Sequence, residues 1–395
     1  MSLRIAPARA RDEVPAATIE RLPVYLHVLG RLRDSGVETV SSADLAVRSG
    51  VTSAKLRKDL SHLGSFGTRG VGYDVEFLHR SISDWLGVRD PLAVVIVGLG
   101  NLGHPMALSL LAAGHPLVVN SLARSEADDL VARGAVWADT AAALAPQVDV
   151  LITVLPGPAQ VRDIMVGSGG ALAGMRTGSA FIDMSTSSSV VADEIRALAG
   201  PRGVDVLDAP VSFLAKAPIG ESRTSASLQI FVGGSRESFE RHLPLFRALG
   251  GQPDQIYHAG PNGSGYSIKV LLNLLWFVYA TGTAEVLALA SRLGIDLRLL
   301  QRALCASPSQ SNFLQFDVNS VFEAGNYDDG FTLDLVCKDI QLGLELGGRT
   351  GVDIPVARLV EELHQRALQR YGPKSGEMSV LKLYEDAAGE PFRAP

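Results

Sequence analysis

The stretch "LAVVIVGLGNLGHPMALSLLAAGHPLVV", Leu92 to Val119, decides how the rest of the chain is interpreted. An apolar run predicts a strand, Gly98-x-Gly100-x-x-Gly103 follows it, and an apolar helix leads into a second strand. In such a frame the first glycine permits a tight turn, the second lets the backbone approach a pyrophosphate, and the third lets helix and strand pack closely. The helix N-terminus then faces the phosphates. We therefore predict a dinucleotide-binding turn made of Gly98, Leu99, Gly100, Asn101, Leu102 and Gly103.

The residues after the second strand bear on which dinucleotide binds. A chain that binds NAD usually has Asp or Glu where this strand ends, and the acid holds the ribose 2′-hydroxyl. Here the sequence runs "NSLARS" from Asn120 to Ser125, without an acid at the strand end. Arg124, with Ser121 beside it, favours a 2′-phosphate and hence NADP over NAD. The alternative is that Arg124 is a plain surface residue.

The composition is that of an ordinary globular protein and excludes several classes. Of the 395 residues, 47% are hydrophobic and 20% charged, and the formal net charge is −6. This argues against a protein that coats nucleic acid along its whole surface. The two cysteines, Cys305 and Cys337, lack the spacing of a metal site or a disulfide framework, so we expect no metal ion. The lack of an apolar signal segment at the N-terminus favours a cytoplasmic, reducing location.

One apolar stretch, "VLLNLLWFVYATGTA" from Val270, raises the question of a membrane span. It is shorter than a spanning helix requires, and it contains Asn273. We therefore predict a helix buried on all sides within the protein, and no membrane partner.

Upstream of the glycine turn, residues 39–64 predict two short helices joined by a tight turn, as in a helix-turn-helix. Ser41 or Ser42 can cap the first helix, and Thr52 or Ser53 can cap the second. Leucines at helical spacing form the inward face of the second helix. Its outward face carries the cations Lys55, Arg57 and Lys58.

These cations predict a surface that reads double-stranded DNA. In the major groove Arg donates in bidentate fashion to guanine, and Lys contacts phosphate. The next stretch, "FGTRGVGYDV" from Phe66, predicts a glycine-rich hairpin that places Arg69 in a minor groove. The alternative is a solvated basic face with no partner. We expect DNA contacts from Lys55, Arg57, Lys58 and Arg69.

Residues 14–89 resemble the DNA-binding domain of the Rex-type redox-sensing repressors. The resemblance is carried by "VPAATIERLPVYLHVL", "VSSADLA" and "GVTSAKLRKDLSHLGSFGTRGVGYDV". It implies a winged helix that reads a palindromic operator as a dimer. In that family a Rossmann domain follows at once and senses the NADH/NAD⁺ ratio.

Beyond Gly103 the chain resembles instead the β-hydroxyacid dehydrogenases, relatives of 3-hydroxyisobutyrate dehydrogenase and 6-phosphogluconate dehydrogenase. The resemblance, over residues 94 to about 384, is carried by "DVLITVLPGPAQV", "FIDMSTSSS", "GVDVLDAPVS", "GPNGSGYSIKVLLNLL" and "FTLDLVCKDIQLGLELG". It implies a Rossmann domain, then an all-α domain built on one long helix, with NAD or NADP as the coenzyme. It further implies coenzyme contacts from Leu155, Pro156, Thr186 and Lys338.

Lys269 and Asn273 stand four apart in the predicted long helix, so they share one face of it. Polar groups on an apolar helix are costly unless they are paired or functional. We predict that Lys269 transfers the proton during hydride transfer, with a pKa lowered by an apolar wall and by the oxidised nicotinamide. The alternative is a lysine that extends to a domain edge. The resemblance adds Ser212 and Asn273 as groups that hydrogen-bond the substrate.

One departure from the dehydrogenase pattern puts turnover in question. Where the family has two glycines after the serine of "DAPVS", this chain has Phe213 and Leu214. Those glycines let a carboxylate approach backbone N–H groups, so the two larger side chains narrow the pocket. The predicted function is therefore an NAD(P)-dependent oxidoreductase that carries a Rex-like DNA-binding domain. The alternative is a cofactor-sensing repressor without turnover.

The sequence thus predicts a multidomain chain. We expect a disordered tail at 1–13, a winged helix-turn-helix domain at 14–90, an α/β Rossmann domain at 91–257 and an all-α domain at 258–395. We also expect a homodimer, because a winged helix that reads a palindrome needs two copies. The long apolar helix would supply the interface.

Overall fold

The computed structural model describes residues 14–19, 21–34, 36–64, 66–68, 72–86, 92–143, 145–213, 228–328 and 330–394. The predictions made for the tail at 1–13, for Arg69 and for Leu214 lie outside these ranges. The chain divides into two compact units. One contains residues up to Ala93 together with Ser109–Pro116, and the other contains Val94–Leu108 together with Leu117 onward.

The first unit combines helices with a small antiparallel sheet. Its elements are α1 (Ala16–Ile19), α2 (Leu22–Asp34), β1 (Thr39–Val40), α3 (Ser42–Arg48), α4 (Ser53–Leu63), β2 (Gly67–Thr68), β3 (Gly72–Asp74) and α5 (Val75–Leu86). The strand order is β1-β3-β2, with both pairings antiparallel. The two strands β2 and β3 flank the glycine-rich turn predicted as a hairpin.

Side-chain caps start the two helices predicted in this unit. The Ser41 hydroxyl accepts a hydrogen bond from the Asp44 N–H at 3.0 Å and caps α3. Thr52 caps α4 in the same way, through the N–H of Lys55 at 3.3 Å. Each cap satisfies a donor that the first helical turn leaves free. The leucines of α4 are buried as predicted, at Leu56, Leu60 and Leu63.

Nine strands of the described chain form one sheet in the second unit. They are β4 (Val94–Val97), β5 (Leu117–Asn120), β6 (Val136–Trp137), β7 (Val150–Thr153), β8 (Ala180–Asp183), β9 (Asp205–Asp208), β10 (Val211–Phe213), β11 (Leu228–Gly233) and β12 (Gly251–Gly260). The strands β4, β7 and β8 are buried at every residue, as expected for central parallel strands covered on both faces. The strand β12 continues past the predicted domain boundary at residue 257.

The strand order places a ligand crevice. Strands β4 to β9 run parallel in the order β6-β5-β4-β7-β8-β9. This is the 3-2-1-4-5-6 order of the doubly wound dinucleotide-binding fold. In such sheets ligands bind outside the carboxyl ends of the strands where the order reverses, here between β4 and β7.

Helices flank this sheet and then continue alone to the end of the described chain. They are α6 (Gly103–Ala112), α7 (Asp128–Ala132), α8 (Pro158–Val166), α9 (Ser189–Ala199), α10 (Arg236–Ala248), α11 (Ser264–Arg292), α12 (Leu297–Cys305), α13 (Val318–Ala324), α14 (Leu333–Thr350), α15 (Pro355–Tyr371) and α16 (Val380–Ala388). The long helix α11 packs against β11, α14, α15 and α16. It is the helix around which the C-terminal part is built.

The prediction that this helix is buried on all sides is wrong. The quoted apolar stretch is part of a 29-residue helix, and one side of it is covered by described residues while the other is exposed. The exposed apolar side chains are Leu271, Leu272, Leu275, Tyr279, Val286 and Leu289. By length and composition alone α11 is apolar enough to cross a membrane, a test that core helices also pass.

Candidate active site

The glycine turn between β4 and α6 has the shape that a dinucleotide requires. Gly98 has a φ of +97°, and a Cβ there would collide with the carbonyl of Val154. A Cβ on Gly103 would collide with the carbonyl of Gly98. At Gly100, by contrast, a Cβ would meet nothing within 4 Å. The outer side of the turn is therefore open to a pyrophosphate, and α6 begins beside it.

The other predicted turn residues differ in what they offer. Leu99 is buried, and its N–H donates to the Ser121 hydroxyl oxygen at 3.2 Å. The side chain of Asn101 is exposed and donates to the carbonyl of Gly330, just before α14, at 2.8 Å. Leu102 is half-buried. The turn is thus tied both to the end of β5 and to the helical part of the unit.

The first turn of α11 is fixed to the ends of β8 and β9 by two buried carboxylates. Asp208 accepts from the N–H groups of Gly263 at 2.7 Å and Tyr266 at 3.1 Å. The Tyr266 hydroxyl donates to Asp183 at 2.5 Å, and the same carboxylate accepts from the Thr153 hydroxyl at 2.8 Å. Burial raises the pKa of both carboxyls and of the Tyr266 phenol. Because Lys269 lies one turn further along α11, these contacts fix its position relative to the sheet.

A polar cluster lies where α11 meets α14. The Asn273 side chain donates to Asp339 Oδ2 at 2.6 Å. Lys338 Nζ lies 2.7 Å from Asp339 Oδ1, an ion-pair contact, and donates to the carbonyl of Thr186 at 3.0 Å. Asp339 is buried, so this one carboxylate orients both the amide of Asn273 and the ammonium of Lys338.

Lys269 stands on the same helix face as Asn273 but is not part of these bonds. Its Nζ has no hydrogen bond or ion pair with any residue that the structure describes. Burial lowers the pKa of Lys269, and Lys338 lowers it further, while Asp339 opposes them by favouring the ammonium. An unpaired amine with a lowered pKa is suited to taking up and releasing a proton.

Comparison with known proteins assigns this arrangement to a family. Residues 93–260 match the model for the NAD-binding domain of 6-phosphogluconate dehydrogenase. Residues 263–384 match a second family model, which is described as "NAD-binding of NADP-dependent 3-hydroxyisobutyrate dehydrogenase". The NAD-dependent L-serine dehydrogenase of Pseudomonas aeruginosa is 33% identical over 305 residues, which cover 75% of this chain and 99% of that protein. The chain belongs to the β-hydroxyacid dehydrogenases.

Further matches agree with this assignment. The 3-hydroxyisobutyrate dehydrogenase of Pseudomonas aeruginosa is 32% identical over 299 residues, covering 74% of this β-hydroxyacid dehydrogenase and 98% of that one. The crystal structure of 3-hydroxyisobutyrate dehydrogenase from Salmonella typhimurium superposes with a TM-score of 0.63 at 28% identity, covering 74% and 99% of the two chains. The Rossmann domain, the all-helical region after it and NAD or NADP as the coenzyme are thereby supported.

The remaining predicted dehydrogenase residues lie in or directly after strands of the large sheet. Ser212 lies in β10, directly opposite Gln229 of β11, and is half-buried. Phe213 ends the same strand and is half-buried as well. Leu155 follows β7, and its N–H donates to the Ser185 hydroxyl at 2.9 Å, while Pro156 beside it is exposed. Leu155 and Pro156 therefore lie beside the crevice that the strand order predicts, whereas Ser212 and Phe213 lie on the antiparallel strand β10 at the far edge of the sheet.

The N-terminal part of this dehydrogenase has its own match. Residues 13–61 match the model described as "Putative DNA-binding protein N-terminus". In the first unit α4 presents Lys55, Arg57 and Lys58 on its exposed face. The acid beside them, Asp59, points the other way and is buried. The exposed face of α4 therefore presents the three cations without the carboxylate of Asp59.

Asp59 is held by an unusually complete set of donors. Arg21 donates to it twice at 2.7 Å, and the hydroxyls of Tyr25 and Thr18 donate at 2.6 Å and 2.9 Å. Burial disfavours the carboxylate, but these hydrogen bonds outweigh it and hold the pKa of Asp59 below its usual value. The contacts attach α4 to the first two helices of the unit.

Sequence reasoning missed the carboxylates of the site. Asp339 follows Lys338 directly in "CKD", and it falls on the buried stripe of α14. An acid on the apolar stripe of a helix could have indicated this site, because a buried carboxylate requires charged or hydrogen-bonding partners. Asp183 and Asp208 each end a parallel strand, a position where side chains meet at one sheet edge.

Proposed function

We propose that the protein interconverts a small β-hydroxyacid and its carbonyl form with NAD or NADP, with Lys269 as the proton-transfer group. The observation that carries the proposal is the Lys269 amine itself. It has no partner among the described residues, and it shares a helix face with Asn273 next to the Lys338–Asp339 pair.

The residues then have defined tasks in the oxidative direction. The substrate O–H bond breaks and its proton passes to the neutral Lys269 amine, while the hydride leaves the carbon that bears the hydroxyl. The bound coenzyme supplies the hydride acceptor. Asn273, held by Asp339, and Ser212 hydrogen-bond the substrate oxygen. Lys338 donates to Thr186 and holds the coenzyme side of the crevice.

The relatives named above suggest the substrate class. They act, by name, on L-serine and on 3-hydroxyisobutyrate, which are both small acids with a primary hydroxyl. Phe213 in place of a glycine supports a substrate that differs in shape near its carboxylate.

Turnover with a panel of hydroxyacids tests the enzyme half. Wild-type protein is expected to reduce NAD⁺ or NADP⁺ with at least one acid of the panel. Lys269→Met is expected to lose about 10²- to 10⁴-fold in kcat while still binding coenzyme. Lys55→Ala is the matched control, since it removes an exposed lysine of the other unit. Equal rates in Lys269→Met and wild type would contradict the assignment of Lys269.

A second proposed activity is the reading of double-stranded DNA by a Rex-like winged helix, with coenzyme occupancy as the signal. It is supported by the exposed cations of α4 and by the strands β2 and β3 of the predicted hairpin. The match of residues 13–61 to a DNA-binding family model supports it as well. If Phe213 and Leu214 block turnover, the dehydrogenase-like part acts as a sensor instead.

Selection of binding sequences from random duplex DNA, followed by anisotropy titration, tests this second activity. Arg57→Ala with Lys58→Ala is expected to lower the affinity about 10-fold or more and to reduce its dependence on salt. Lys269→Met serves as the control and keeps the DNA affinity. The absence of any enriched sequence would contradict DNA reading.

We propose further that the protein is a homodimer of the cytoplasm. The exposed apolar side of α11, from Leu271 to Leu289, supports the dimer, because apolar surface of this kind usually marks an interface. Light scattering on the purified chain tests it. A Leu275→Glu variant is expected to be monomeric.

A further inference from the structure

The end of β5 carries an acid that the sequence spacing concealed. The Ser121 hydroxyl, directly after the strand, donates to the carboxylate of Glu126. The residues from Arg124 to Ala127 form a short 3₁₀ turn, which brings Glu126 back to the strand end. The usual position for a ribose-binding acid therefore holds a carboxylate, although the residue stands five positions further along the chain.

The polar side chains around this carboxylate have different arrangements. The Asn120 side chain is turned into the sheet and donates to the carbonyl of Ala138 at 2.8 Å. Ser121 Oγ accepts from the Leu99 N–H of the glycine turn, so it joins Glu126 to that turn. Arg124 is exposed and forms no hydrogen bond or ion pair with the residues that the structure describes.

The two coenzymes differ at this point in one group. NAD presents a 2′-hydroxyl, which donates to a carboxylate, whereas NADP presents a 2′-phosphate, which a carboxylate repels. To accept the phosphate, Glu126 would have to leave Ser121, whose hydroxyl would then lose its charged acceptor.

We propose that Glu126, positioned by Ser121, accepts the ribose 2′-hydroxyl and makes the protein selective for NAD(H) over NADP(H). This inference rests on the proposed function and specifies its coenzyme. It reverses the preference for NADP that Arg124 indicated in the sequence.

Calorimetric titration of the full chain with NADH and NADPH tests the proposal without turnover. The wild type is expected to bind NADH more tightly. Glu126→Gln is expected to lower the ratio of the two affinities by about 10- to 100-fold, through weaker NADH and stronger NADPH binding. Asp128→Asn removes an exposed acid two positions away and serves as the charge control, with a ratio unchanged within about twofold. Arg124→Ala is expected to behave like that control.

Each other outcome decides against the proposal. A wild type that binds NADPH as tightly as NADH overturns it, and so does an unchanged ratio in Glu126→Gln with an unchanged melting temperature. A large loss of NADPH affinity in Arg124→Ala assigns the selection to Arg124 instead. Wild-type protein that binds neither coenzyme contradicts the proposed function and the selectivity together, whereas binding with the wrong ratio contradicts the selectivity alone.

Discussion

Replacing Asp339 with asparagine separates the charge of this carboxylate from its shape. Asp339 is buried, accepts from Asn273 at 2.6 Å and lies 2.7 Å from Lys338 Nζ. In Asp339→Asn the side-chain volume is kept, but the charged acceptor is lost. A hydrogen bond to a charged group contributes about 1.5–3 kcal/mol, so we expect kcat/KM for hydroxyacid oxidation to fall roughly 10- to 100-fold as Asn273 loses its orientation.

The same variant changes the pH dependence in a defined direction. Oxidation requires neutral Lys269, so the rate rises with pH through the pKa of that amine. Asp339 favours the ammonium form, and its removal therefore lowers the pKa of Lys269 further. The rising limb of the kcat/KM profile should move to lower pH in Asp339→Asn.

Profiles of kcat/KM against pH, measured with saturating coenzyme, check both effects. Glu345→Gln is the matched control, because it removes an exposed acid of the same helix. In this control the rising limb of the kcat/KM profile should stay at the wild-type pH. A limb that stays fixed or moves to higher pH in Asp339→Asn would refute the reasoning, since Asp339 would then not favour the ammonium form of Lys269.

Three further outcomes follow from buried groups. Tyr266→Phe removes a donor to Asp183 and should lower the free energy of unfolding of the second unit by about 1–3 kcal/mol in chemical denaturation. Asp59→Asn should destabilise the first unit by a similar amount, about 1–3 kcal/mol, because Tyr25 loses a charged acceptor, and the stabilisation by Asp59 should vanish on acidification. Burial lowers the pKa of His364 to about 4, below its value in the unfolded chain. The neutral imidazole therefore stabilises the fold above about pH 6.5, and this stabilisation is lost as the pH falls. His364→Leu should remove about 2 kcal/mol of the stability lost between about pH 7 and 5, as measured by urea denaturation, and an identical pH dependence in the variant would contradict this.

Local chemistry explains which features could be predicted from the sequence. The glycine turn was predictable because its three glycines meet separate steric requirements, and the structure shows two of them in close contact and Gly100 open. The caps at Ser41 and Thr52 were predictable because they depend on neighbouring residues only.

What the sequence could not give depends on distant parts of the chain meeting. Asp339 and Asn273 are 66 positions apart in the chain, and no local sequence pattern predicts their hydrogen bond. Glu126 was passed over because its distance from the strand end is set by a short turn, which spacing alone does not reveal. The exposure of α11 was also missed, since an apolar helix looks the same in sequence whether its partner is its own chain or another one.

A crystal structure of the full chain with its coenzyme and a bound hydroxyacid tests the central claim most directly. We predict that Lys269 Nζ lies within hydrogen-bond distance of the substrate hydroxyl, about 2.7–3.2 Å, with Asn273 on the same oxygen and the pyrophosphate against Gly100. A Lys269 side chain turned away from the substrate, or a coenzyme bound elsewhere than at the glycine turn, would contradict the account.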